Sequence, residues 1–90
     1  MLMTKMRPTV SVNVRLFAGI DKDANVAGYD HNAGLVLTVP EGARLKKVVK
    51  MIGLPKRYTL VFFINGQRAG LRHKLEDGDE IACLRPTAGG

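Results

Sequence analysis

From Thr9 to Leu16 the chain alternates without a break, with Val10, Val12, Val14 and Leu16 on one side and Thr9, Ser11, Asn13 and Arg15 on the other. A side-chain period of two belongs to an extended strand with one dry face and one wet face. Such a strand cannot stand alone, because its valine face has to be covered by a second layer. Phe17 comes next and falls out of phase on the polar side. The strand is therefore read as Thr9–Phe17, with Phe17 as an exposed aromatic on the outer face.

The covering layer is legible further along. Leu45, Val48, Val49 and Ile52 sit at i, i+3, i+4 and i+7, while Lys46, Lys47 and Lys50 take the other side. That spacing predicts one amphipathic helix. Gly53 suits the left-handed position that ends a helix, and Pro55 prevents continuation. No Ser, Thr, Asp or Asn precedes the helix, which leaves Gly42 as a weak cap. Leu35, Leu37 and Val39 predict a second strand ending at Pro40, paired with the first as an antiparallel hairpin. Residues 18–34 between them have no sustained period and read as a long loop.

Thr59–Ile64 is a dense apolar strand followed by Asn65-Gly66, a dipeptide suited to a type I′ turn. Leu71 and Leu75 are expected to anchor an irregular connection. Asp77-Gly78-Asp79 reads as a tight turn opening the last strand, Glu80–Arg85. In that strand Ile81 and Cys83 share one face and Ala82 and Leu84 the other. The order strand, strand, helix, strand, short strand, strand predicts an α+β fold of the β-grasp (ubiquitin-like) kind. Its first and last strands should pair in parallel, with the valine face against the helix.

Ninety residues suffice for one domain, expected over residues 1–85, with 86–90 as a flexible tail. No apolar run is long enough to cross a bilayer, and Met1–Pro8 has charge but no apolar signal core, so a cytoplasmic address is expected. Cys83 is the single cysteine, which excludes an internal disulfide and a cysteine-rich zinc site. By phase it faces the core as a small hydrophobe. His31 and His73 lie far apart without a ligand partner at metal spacing, so no metal is expected. No residue set supplies a base, a nucleophile and an oxyanion site together. The chain is expected not to be an enzyme by itself.

The sharpest motifs lie in the last third: Asn65-Gly66, then Leu75-Glu-Asp-Gly-Asp-Glu80, then Pro86-Thr87-Ala88-Gly89-Gly90. At this spacing the chain resembles the MoaD/ThiS-type sulfur-carrier family of molybdopterin and thiamine biosynthesis. Its Pro-x-Ala-Gly-Gly ending is closer to the small subunit of molybdopterin synthase. The resemblance implies a carrier whose Gly90 α-carboxylate is adenylated by an E1-like partner that uses ATP. Attack of a persulfide would then leave a thiocarboxylate. It further implies a larger catalytic subunit, or another sulfur acceptor, into which Gly89, Ala88, Thr87 and Pro86 thread. No bound cofactor is implied. The long loop 18–34 and the net charge of +6 depart from the family's usual pattern.

The residue types fit that chemistry. A carboxylate is a poor electrophile until activated, and glycines without Cβ atoms pass through a narrow tunnel. Five residues reach at most about 17 Å. Phe17 and Leu84, both off the core face of neighbouring strands, together with Arg85 at the start of the tail, are candidate docking residues. The alternatives within this class are a carrier for thiamine or another sulfur-transfer pathway, and a ubiquitin-like modifier joined through Gly90 to a lysine. The alternative from another class is a basic β-grasp RNA-binding module, which the stripe of Lys46, Lys47, Lys50, Lys56 and Arg57 would serve. That module has no use for a free Gly-Gly end, so nucleic acid is not the expected partner.

Overall fold

The structure, a computed structural model, describes residues 8–17, 20, 29–30, 32–54 and 60–85. Among the described residues the strands and the main helix follow in the order β1 Thr9–Leu16, β2 Leu35–Pro40, α1 Leu45–Ile52, β3 Val61–Ile64, β4 Gln67–Ala69 and β5 Glu80–Leu84. The sheet order is β2-β1-β5-β3-β4, so the last strand lies in the middle. β1 and β2 pair antiparallel from Thr9↔Pro40 to Val14↔Leu35, and β1 and β5 pair in parallel from Asn13↔Glu80 to Leu16↔Cys83. This is the β-grasp arrangement that the sequence predicts.

The phase of β1 holds. Val10, Val12, Val14 and Leu16 are all buried, and Val14 is 0% exposed. They meet Ile81 and Cys83 of β5, Phe62 and Ile64 of β3, and Leu45 and Val48 of α1 in one core. Each such side chain taken out of water contributes about 1.5–3 kcal/mol. Val49 and Ile52 complete the apolar stripe of α1 as partly buried neighbours of that core. At the helix end, Gly53 adopts φ 83° and its N–H bonds the Val49 carbonyl at 3.1 Å. Asn65 and Gly66 both have positive φ, 52° and 84°, as a type I′ turn requires.

Several expectations need correction. The helix is not capped by Gly42. Its N-cap is Arg44, which makes no side-chain cap, and Gly42 instead takes φ 88° in the turn closed by the Ala43 N–H on the Pro40 carbonyl. The first free N–H groups of α1 are satisfied from a distant segment: Leu45 donates to His73 O and Lys46 to Leu71 O, both at 2.9 Å. Leu75 anchors the connection at 1% exposure, but Leu71 is 45% exposed. Its backbone carbonyl, and not its side chain, is what holds it to the helix. β1 stops at Leu16, one residue before the expected end, and β3 begins at Val61, with Thr59 outside the described residues.

The long connection between β1 and β2 is more than a spacer. Ile20 is 2% exposed and joins the core, and its N–H bonds the Phe17 carbonyl. β2 begins opposite Val14, so the end of β1 runs past it. There Tyr29 takes over: its hydroxyl accepts the Leu16 N–H at 2.7 Å and donates to the Leu16 carbonyl at 3.2 Å. Gly34, where β2 is entered, could carry no side chain. Its φ is +80°, and a Cβ would lie 2.5 Å from Asn13 Oδ1 and 3.0 Å from the Val14 carbonyl.

Candidate docking face at the root of the tail

The outer face of the sheet, away from α1, is built by the off-phase residues of four strands. Arg15 pairs with Ala82, Ala82 with Phe63, and Phe63 with Arg68, which lays one row across β1, β5, β3 and β4. Leu84 pairs with Val61 in the next row. Phe17 continues β1 by one residue towards Leu84, held by its N–H on the Cys83 carbonyl at 3.1 Å. The result is an apolar area of Phe17, Leu84, Val61, Phe63 and Ala82, with Arg15 and Arg68 at its two ends.

Phe17 is 44% exposed, as its phase predicts, although it stands just past the strand and not on it. Leu84 is half-buried, so it presents an edge and not a whole side chain. The structure thus brings Phe17 and Leu84 together, and adds Val61 and Phe63, which sequence reasoning missed. A signal for them existed in the two-residue period against Phe62 and Ile64. It is masked because Val61–Ile64 is apolar at every position, so periodicity cannot tell its two faces apart.

Arg85 follows β5 directly and is half-buried; it engages a neighbour and is not a free cation. Cys83 is the last fully buried residue of the chain among those described. Pro86, Thr87, Ala88, Gly89 and Gly90 lie outside the described residues, as do His31, Lys56 and Arg57. What the geometry fixes is where the central strand ends: Leu84 lies next to Val61, with Phe17 alongside.

Cys83 faces the core at 1% exposure, and burial pushes its thiol up to about 12. A thiol held neutral in an apolar setting is neither a nucleophile nor a metal ligand at ordinary pH. Among the described residues no group of three His, Cys, Asp or Glu converges as a cation site. No helix among them is long and apolar enough to cross a membrane. The chemistry this face offers is contact: an apolar centre and a cationic margin at the end of the central strand.

The sequence model described as the ThiS family matches residues 24–90. Among solved structures the chain is similar to SAMP1 from Haloferax volcanii, at 23% identity and TM-score 0.65, covering 89% of this chain and 99% of that one. It is similar to a putative molybdopterin converting factor, subunit 1, from Pyrococcus furiosus, at 23% identity and TM-score 0.66, covering 87% and 99%. It is also similar to the Haloferax volcanii HVO 2177 protein, at 22% identity and TM-score 0.73, covering 99% and 94%. At these identities the likeness carries the fold. No curated protein matches the sequence.

Proposed function

The chain belongs to the ThiS family of ubiquitin-like sulfur carriers and modifiers, and on that premise we propose that Gly90 is the group it activates, with sulfur delivery to a molybdopterin precursor as its task. The Gly90 carboxylate attacks the α-phosphate of ATP in an E1-like partner, forming the acyl-adenylate and releasing pyrophosphate. A persulfide sulfur then displaces AMP, and a thiol cleaves the resulting acyl disulfide, which leaves the thiocarboxylate. The catalytic groups for these steps belong to the partners, and the chain contributes a docking face and a threading end.

The single observation that carries this reading is the placement of the tail root. The middle strand of the sheet ends at Leu84, six residues before Gly90 in the sequence and within the apolar area that Phe17, Val61 and Phe63 also form. A partner seated on that area has the chain end within about 17 Å of its contact surface. Binding energy from the face is then available to hold the reacting carbon in place.

The test is incubation with ATP, a cognate adenylating enzyme and a persulfide donor, followed by intact-mass measurement. Replacement of one oxygen by sulfur, mapped to Gly90, is the expected result. An unchanged mass with an enzyme that activates other carriers would defeat the proposal. A second reading, covalent attachment through Gly90 to a lysine, uses the same activated end. Likeness to structures described as small archaeal modifier proteins favours it. An isopeptide-linked product in place of the thiocarboxylate would select it.

A further inference from the structure

The helix side of the molecule carries a cationic cluster that the carrier chemistry does not use. Arg44, Lys46, Lys47 and Lys50 are exposed on and just before α1, and Arg72 and Lys74 are exposed on the connection after β4. These two segments are far apart in sequence but adjoin in space. Lys46 N bonds Leu71 O, Leu45 N bonds His73 O, Leu75 N bonds Ala43 O, and Arg44 Nη1 donates to Arg72 O at 2.7 Å. Arg44 and Lys74 also pair as an isolated bridge. Among the described residues none of the six cations is ion-paired with a carboxylate. Lys46, Lys47 and Lys50 of the sequence stripe thus share a patch with Arg44, Arg72 and Lys74, while Lys56 and Arg57 lie outside the described residues.

The placement runs against what stability alone would choose. The first turn of α1 contains no acidic residue. Lys46 and Lys47 stand where the helix dipole favours an anion, so the like charges and the dipole reinforce one another. In natural chains, breaks of local rules are expected at functional or strained sites. The helix N–H groups are not the ligands here, because His73 and Leu71 already occupy them. The side chains are what remains to bind.

We propose that this patch is a second interaction surface, across the molecule from the apolar sheet face, and that it takes the phosphodiester backbone of RNA without reading its sequence. Backbone contact by Lys and Arg is the sequence-independent part of nucleic-acid binding. No aromatic residue lies in the two segments, so there is no platform for stacking bases. An acidic protein partner fits less well. Protein interfaces have apolar, lysine-poor centres, whereas here lysine and arginine fill the patch and Leu71 and Met51 only adjoin it. The inference is independent of the Gly90 chemistry and needs no activating enzyme to test.

The experiment is fluorescence anisotropy of a labelled single-stranded RNA of about 20 nucleotides, with the full chain, from low to physiological salt. With six contacts, log affinity should fall against log salt with a slope of about 4, a loss of roughly 250-fold between 50 and 200 mM. The variant Lys46→Glu with Lys47→Glu should weaken binding at least tenfold at low salt and lower the slope by about 1.5. Its thermal midpoint should hold or rise, since acids now stand in the first turn. Absence of salt-dependent binding, or wild-type binding by the double variant, would overturn the proposal. So would equal affinity and slope for polyglutamate or for anionic phospholipid vesicles, which would assign the patch to an acidic protein or a membrane surface.

Discussion

The Asn65 amide donates to Asp79 Oδ1 at 2.9 Å while its own oxygen accepts the Glu80 N–H at 2.9 Å. One side chain therefore ties the β3–β4 turn to the turn that opens the central strand. Asp79, only 8% exposed, uses its other oxygen to accept the Glu76 N–H at 2.8 Å. On the same turn Asp77 accepts the Ser11 N–H at 2.8 Å, and Gly78 N–H bonds the Ser11 carbonyl. The two short motifs that carry the family resemblance thus interlock with each other and with β1.

Removing this link without disturbing the turn should be costly. Asn65→Gly keeps a residue that accepts φ 52° but takes the donor from Asp79 Oδ1 and the acceptor from the Glu80 N–H, leaving the Asp79 carboxylate only its bond from the Glu76 N–H. A hydrogen bond to a charged group contributes about 1.5–3 kcal/mol, so a loss of about 2 kcal/mol is expected in urea unfolding. An unchanged midpoint would mean that the turn conformation alone, and not the Asn65–Asp79 pair, holds this corner.

The sheet face separates docking from folding. Phe17→Asp should weaken binding to the activating enzyme and leave the melt within about 1 kcal/mol of the parent, because Phe17 is already 44% exposed. Phe63→Asp should weaken it too, at some cost in stability since Phe63 is half-buried. Val14→Asp instead puts an unpaired charge at a site with no exposure, a loss of about 4 kcal/mol or more, enough to unfold a small domain. Equal melting of the Phe17 and Val14 variants would show that the outer face is part of the core.

Cys83 gives a pH signature. Burial raises its thiol from 9.0 to about 12, so the folded state holds the proton more tightly than the unfolded chain. The stability it contributes is fully present below pH 9 and is lost as the pH rises from 9 towards 12. Cys83→Ala should flatten that alkaline decline in melts run between pH 8 and pH 11. In the native protein at pH 8 the thiol should resist a maleimide, and should react once urea unfolds the chain. Rapid native labelling would contradict the burial.

The proposed role of Gly90 sets the last expectation. Adding one residue after it, or deleting it, should abolish ATP–pyrophosphate exchange with the cognate enzyme. A one-residue change moves the reacting carbon by about 3.5 Å along an extended chain, as large as the near-attack distance itself. The thermal melt should not change, because the core among the described residues is complete at Cys83. Normal exchange by the extended variant would exclude Gly90 as the activated group.

The sequence by itself determined the elements whose signals are local. Alternation in Thr9–Leu16 set the strand and its buried face, and the spacing of Leu45, Val48, Val49 and Ile52 set the helix. Asn65-Gly66 and Gly53 announced their positive φ values because few other residues accept them. What only the tertiary structure decided depends on partners distant in the chain. The helix start was illegible because its N–H groups are satisfied by the carbonyls of Leu71 and His73, which no nearby residue type reveals. Leu71 looked like an anchor because hydropathy records a side chain, while the contact it makes is through its backbone. Val61 and Phe63 could not be assigned to a face until pairing with Leu84 and Ala82 fixed the register of β3. The cationic patch formed only when the connection after β4 folded onto α1, since charge is summed over neighbours in space and not along the chain.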